Sequence, residues 1–128
     1  MHNVTRLAYF CRVIDNPIRS IFYYKNYYLE FFENLKPEVK KKFNWTLQLI
    51  STIERVPKKY FEHLTGTTGI YEIRVEVGSD IYRAFSFFDK GQLVILINGF
   101  QKKTQKTPKK EIELAEKLKK QYFDEKGK

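Results

Sequence analysis

Two arginines in consecutive strand-like segments, and a run of lysines from Lys102 onward, are the side chains of this sequence with chemistry to offer. Arg74 lies in Tyr71-Glu72-Ile73-Arg74-Val75-Glu76. Arg83 lies in Ile81-Tyr82-Arg83-Ala84-Phe85, where most neighbours are apolar. An arginine in such a strand needs an acidic partner or a water-lined cleft. Gly78-Ser79-Asp80 reads as a hairpin turn, so the two segments are neighbours. A loop of two or four residues puts both arginines on one face, whereas a loop of three separates them. A third strand then delivers Lys102 and Lys103 to the sheet edge. Guanidinium and ammonium groups that converge in this way can hold a phosphodiester, which arginine grips in a two-pronged geometry. They can also favour cleavage of RNA by its own 2′-hydroxyl. That attack places extra negative charge on the phosphorus oxygens, so fixed cations stabilise the transition state above the ground state. The competing reading is structural: Arg74 paired with Glu72 or Glu76, and Arg83 in a salt bridge.

Other chemistries find less support. His63 is an acid–base candidate by residue type, although a lone loop histidine is more often incidental. Cys11 is the one cysteine, which excludes an intramolecular disulfide and fits a reducing, cytoplasmic compartment. Two histidines and one cysteine, far apart, do not make a zinc site of the usual kind. No metal or other cofactor is expected. Glycine-rich phosphate loops, nucleophile elbows and paired-carboxylate signatures are missing from the sequence. No run of eighteen apolar residues is present, so no membrane-spanning helix is expected.

The charge has a direction. The chain has 128 residues and a formal net charge of +9, and residues 101–128 contribute ten basic against five acidic groups. The densest part is Gln101-Lys102-Lys103-Thr104-Gln105-Lys106-Thr107-Pro108-Lys109-Lys110, with five lysines and no acid. It is either a solvated loop or a patch for an anionic partner, nucleic acid or acidic protein.

The elements that must position these groups follow from periodicity. Residues 1–17 hold a short apolar run, Leu7 to Cys11, and end on Asn16-Pro17; they are expected to be an extension outside the domain. Ile18 to Tyr24 reads as a strand. Asn26 can cap a helix in which Tyr27, Phe31 and Leu35 recur at helical spacing. Pro37 opens a second helix reaching about Arg55, with Val39, Phe43, Leu47, Ile50 and Ile53 as its apolar stripe and Trp45 expected against the sheet. Residues 61–69 read as a loop. Residues 71–77 alternate with a period of two, Ile81 to Phe88 forms the returning strand, and Leu93 to Asn98 is apolar throughout, as in a central strand buried on both faces. Thr107 as N-cap and Pro108 at the first helical position start the last helix, with Ile112, Ala115, Leu118 and Tyr122 facing the core. The expected class is α+β: an N-terminal strand and helical hairpin packed on a mainly antiparallel sheet, with a C-terminal helix. The domain is expected over residues 18–123, followed by a short tail over 124–128.

Several of these segments resemble the RelE/ParE toxin superfamily. They are Ser20 to Tyr24, Leu64-Thr65-Gly66, Tyr71 to Val75, Tyr82-Arg83 and, above all, Asn98 to Pro108, which is similar to the HigB-like, phage-derived branch. The resemblance implies a toxin of a bacterial type II toxin–antitoxin pair, restrained by an antitoxin that is a small helix-turn-helix protein encoded next door. It implies a metal-independent endoribonuclease acting on ribosome-bound mRNA. Arg83 then matches the arginine that follows an aromatic residue in the second hairpin strand, Arg74 a basic residue contacting the scissile phosphate, and Lys102 or Lys103 the basic residue after the third strand. Gln101, Thr104, Lys106, Lys109 and Lys110 are the expected RNA-binding residues around them. Two departures stand out. Glu72 occupies a position that is lysine in RelE itself, and no tyrosine lies between Phe100 and Tyr122. The general base is therefore open among Lys103, Lys106 and His63. The same fold also serves non-enzymatic, ParE-like inhibitors of DNA gyrase and decayed toxins that only bind their partner.

Overall fold

A computed structural model describes residues 17–127. The chain runs β1 (Ser20–Tyr23), α1 (Tyr27–Glu33), α2 (Pro37–Thr52), β2 (Phe61–His63), β3 (Tyr71–Val77), β4 (Asp80–Asp89), β5 (Leu93–Lys102) and α3 (Lys109–Lys126). The five strands form one sheet in the order β1-β5-β4-β3-β2. Only β1 is parallel to its neighbour, β5; the other pairings are antiparallel. This is the α+β architecture that the alternating segments predict.

Each face of the sheet is covered by helix. Val39, Phe43, Leu47 and Ile50 of α2 and Tyr28 of α1 pack with Ile73, Val75, Tyr82, Ala84 and Leu96 on one face. Ala115 and Leu118 of α3 pack with Phe85, Phe87, Ile95 and Ile97 on the other. β5 sits between both layers, which is why it is apolar at nearly every position. Opposite Phe85 the β4–β5 register shifts, so that Ala84 pairs with Gly99 and Ser86 with Leu96. The extra residue is a bulge, and it turns Asn98 toward α3.

Several expectations change on contact with tertiary structure. Residues 61–63 are an edge strand, β2, paired with β3, and not loop. In α1 the buried residues are Tyr28 and Leu29, while Tyr27 is exposed. α2 stops at Thr52, and Ile53 beyond it is exposed. Its last carbonyls are held by Arg19, whose guanidinium donates to the carbonyl oxygens of Ile50, Ile53 and Glu54 at 2.8–2.9 Å. A cation at a helix C-terminus is favoured by the helix dipole as well as by these hydrogen bonds. Trp45 does not reach the sheet. It is 44% exposed, with its ring edge-on to Tyr60 and the Lys42 ammonium 4.5 Å above it. α3 runs on through Lys126, past the expected start of a tail. Glu125 there accepts a hydrogen bond from the Tyr24 hydroxyl at 2.8 Å. The expected extension over residues 1–17 lies outside the described residues except for its last, Pro17.

Candidate functional site

The β3–β4 hairpin decides the geometry. Val77 pairs with Asp80, which leaves a two-residue loop of Gly78 and Ser79. Gly78 has φ of 62°, the left-handed conformation that the first residue of a tight hairpin loop of this kind requires. With two loop residues, Arg74 and Arg83 are directly opposed Cα partners and share a face. On β5, Lys102 pairs with Ile81, two residues before Arg83, and so joins that face; Gln101 pairs with Tyr82 and faces the other way. Of the two lysines that the sequence leaves open, Lys102 is the one that the register puts on the face of the arginines. Lys103 lies past the strand end and is exposed.

Like charges placed directly opposite one another destabilise a sheet unless something compensates. Here two like pairs stand side by side: Arg74 opposite Arg83, and Glu62 of β2 opposite Glu72 of β3. The compensation runs between them. Arg74 Nη1 is 3.2 Å from Glu62 Oε1, Arg74 Nε is 3.4 Å from Glu72 Oε1, and Arg83 Nε is 3.5 Å from Glu72 Oε2. Glu72 is 4% exposed and Arg83 6%. A buried arginine in an apolar strand needs a carboxylate, and this strand array supplies one. The structural salt bridge expected as the competing reading is thus present, and it engages both arginines at once.

Glu72 has one more contact. The Thr107 hydroxyl donates to its Oε2 at 3.4 Å. Thr107 was expected to cap α3, but Pro108 holds the cap position. The threonine instead ties the start of α3 to the carboxylate between the arginines. Arg83 Nη1 also donates to the Tyr82 carbonyl at 3.0 Å, and Arg74 Nη1 lies within reach of the Lys58 carbonyl at 3.4 Å.

Beside the two arginines lies a cavity of about 260 Å³ lined by Lys59, Arg74, Glu76 and Arg83. Burial lowers the Arg83 pKa from its ordinary value; Glu72 raises it again, and Arg74 adds a smaller lowering. Arginine stays charged through such shifts. Lys102 is lowered too, first by burial and then by the Arg83 charge, with Glu72 opposing. Its ammonium is consequently a better proton donor than that of an isolated lysine.

The remaining expected residues divide by place. Lys103, Thr104, Lys106, Lys109 and Lys110 are exposed on the segment that joins β5 to α3 and on the first turn of that helix. Lys109 and Lys110 stand at the positive end of the helix dipole, where a cation is disfavoured unless an anion is bound nearby. His63 is not part of the cluster. It pairs with Tyr71, one residue on from Glu62, so it points to the opposite face and rests edge-on to the Tyr71 ring at 5.4 Å. Lys59, Glu62 and the Thr107–Glu72 link were not legible as site features, because they depend on β2 and on the path of the chain around it. Among the described residues, no group of three or more His, Cys, Asp or Glu side chains could hold a metal ion, and no helix is long and apolar enough to cross a membrane.

Residues 30–120 match the family described as Phage derived protein Gp49-like (DUF891). The matched stretch runs from α1 into α3 and includes Glu72, Arg74, Arg83 and Lys102. No curated protein matches the chain.

Proposed function

The chain belongs to the phage-derived Gp49-like family, in the RelE/ParE-type group of toxin–antitoxin toxins, and from that premise we propose that it is the toxin of such a pair and an mRNA endoribonuclease of the HigB-like kind, acting on ribosome-bound message. Its partner is the antitoxin that membership of this family implies. The observation that carries the reading is the placement of Arg74, Arg83 and Lys102 on one face of three consecutive strands.

The chemistry follows from that placement. A phosphodiester enters over the cavity beside Arg74 and Arg83. The adjacent 2′-hydroxyl loses its proton and attacks phosphorus, and the P–O5′ bond breaks. The products are a 2′,3′-cyclic phosphate and a 5′-hydroxyl end. Negative charge builds on the non-bridging oxygens during attack, where the guanidinium groups stabilise it. Lys102, with its lowered pKa, is suited to donate the proton that the departing 5′-oxygen requires. Lys103, Lys106, Lys109 and Lys110 hold the flanking phosphates, with Thr104 beside them; Gln101, expected among them, pairs with Tyr82 and faces away. The ribosome supplies positioning of the message, so the isolated chain is a weak nuclease. His63 faces away from this cluster, which leaves the lysines as the better choices for the base.

Expression in bacteria with mapping of transcript 5′ ends tests the proposal. New cuts are expected with the parent chain, reduced about 10²–10³-fold by Arg83→Ala, as for the loss of one oxyanion donor. Cuts that persist unchanged in that variant would exclude this site.

A second reading has an observation of its own. Glu72 is already paired with both arginines in the resting molecule, which suits a non-enzymatic inhibitor of the ParE-like kind or a decayed toxin. Inhibition of supercoiling by purified DNA gyrase, with message left intact in cells, would favour it.

A further inference from the structure

On the other side of β5 from the arginines, a groove of about 540 Å³ opens between α1 and α3. Its charge is opposite to that of the rest of the molecule. In a chain of net charge +9, its lining contains the carboxylates of Glu30 and Glu111 and no lysine or arginine.

At its floor is a buried acceptor without a donor. Asn98 is 4% exposed. Its amide nitrogen donates to the Glu111 carbonyl at 3.1 Å and to Glu111 Oε1 at 3.0 Å. Both amide hydrogens are committed, so the orientation of the side chain is settled and Oδ1 is left as acceptor. Among the described residues Oδ1 has no hydrogen-bond partner. A buried polar atom left in this state costs free energy, which a ligand carrying an N–H group recovers. The walls are aromatic and apolar: Tyr27, Phe31 and Leu114.

We infer that this groove takes an arginine side chain, presented between apolar residues by a partner protein. The positive charge answers Glu30 and Glu111, the guanidinium N–H groups answer Asn98 Oδ1, and the flat cation stacks on the aromatic wall. A nucleotide brings N–H groups as well, but its phosphate is repelled by the two carboxylates. The partner therefore meets the chain at two points of opposite sign: an acidic segment on the lysines after β5, and a basic anchor here.

The test is a titration of the full, ¹⁵N-labelled chain followed by NMR. The probe is the peptide acetyl-Leu-Arg-Leu-amide, with acetyl-Leu-Gln-Leu-amide and guanosine 5′-monophosphate as comparisons. Saturable shifts are expected at the Asn98 side-chain amide and at the Gly99 and Leu114 amides. The glutamine peptide, and the variants E30Q and E111Q with the arginine peptide, should each bind about tenfold more weakly or worse, a loss corresponding to one charge-assisted contact. Equal binding of the two peptides, a stronger response to the nucleotide, or no saturable shift at ~10 mM peptide, the millimolar range expected of one anchor, would overturn the inference. So would movement of the same resonances, without peptide, on replacing Arg6 and Arg12 by glutamine, since the occupant would then be the chain's own N-terminal segment.

Discussion

Arg74 and Arg83 face each other across neighbouring strands, and Glu72 stands between them, 3.4 Å from one and 3.5 Å from the other. The carboxylate allows two guanidinium groups to sit side by side on a largely buried surface. It also sets what they can do next. A phosphodiester that approaches Arg74 and Arg83 meets cations already partnered, and its binding must either share them with Glu72 or displace it. Thr107 holds the carboxylate from the side of α3, so the lysine segment before that helix and the arginine pair are mechanically joined.

Replacing Glu72 separates stability from affinity. In E72Q the carboxylate charge is lost while its shape is kept, leaving the buried Arg83 without its paired carboxylate. Removing one partner of a buried ion pair costs about 3–5 kcal/mol, and here the lower end is expected, because Arg74 is partly exposed and keeps Glu62. Urea denaturation should show that loss. RNA binding, measured by filter retention, should tighten in the same variant. Weaker RNA binding by a folded E72Q chain would show that the carboxylate orders the arginines for the ligand and does not compete with it.

The exposed lysines should act additively and without preference for sequence. Replacing Lys103, Lys106, Lys109 and Lys110 together by glutamine removes up to four phosphate contacts. For single-stranded RNA each contact contributes about 0.7 to the slope of log affinity against log salt. The slope should therefore fall by roughly 2–3, while stability barely changes, since all four side chains are exposed. A slope identical to that of the parent would place the RNA elsewhere.

The fold and half of the site were legible in the sequence, for identifiable reasons. The alternation over residues 71–77 and the turn at Gly78-Ser79-Asp80 carry the hairpin, but they leave its loop length open; the pairing of Val77 with Asp80 is what puts Arg74 opposite Arg83. The unbroken apolar run of β5 carries its central place. What was not legible depends on contacts between distant segments. A three-residue strand such as Phe61–His63 has too few positions to display a period. Thr107 sits where a capping residue belongs, and only the position of Glu72 across the fold explains its other use. Trp45 reads as core by its chemistry, yet its helix presents it to Tyr60 and Lys42 instead. The bulge that turns Asn98 toward Glu111 leaves no mark that local propensity would detect.

Gly99 is set by packing. A Cβ built there would lie 2.4 Å from the Phe31 ring, because α1 rests against the strand at that point. G99A should force α1 outward and cost about 1–3 kcal/mol, the usual penalty for overpacking. A double variant, G99A with F31A, should recover part of the loss, because the clashing ring is gone. Additive losses in urea melts of the two single variants would mean that the ring has another place to go.

The Tyr122 phenol links pH to stability through Asp89. Its hydroxyl donates to Asp89 Oδ2 at 2.5 Å, and Lys126 Nζ lies 2.6 Å from the same oxygen. Burial, followed by the Asp89 hydrogen bond, pushes the Tyr122 pKa from 10.0 up to about 12. The folded state therefore keeps this proton after the unfolded state has lost it. The contribution to stability is complete below about pH 10 and drains away as pH rises toward 12. Asp89 runs the other way. Its pKa is lowered by the hydrogen bonds from Lys126 and Tyr122, so its contribution is complete above its ordinary value of 3.8 and fades as pH falls through the lower, folded value. In Y122F the alkaline decline should flatten relative to the parent, and the acid decline should shrink, because one of the two hydrogen bonds to Asp89 is gone. Lysine titrations elsewhere are common to both chains and drop out of the difference. Urea midpoints compared between pH 8 and pH 11 check the alkaline half, and parallel curves for parent and variant would show that the phenol proton is not held by the fold.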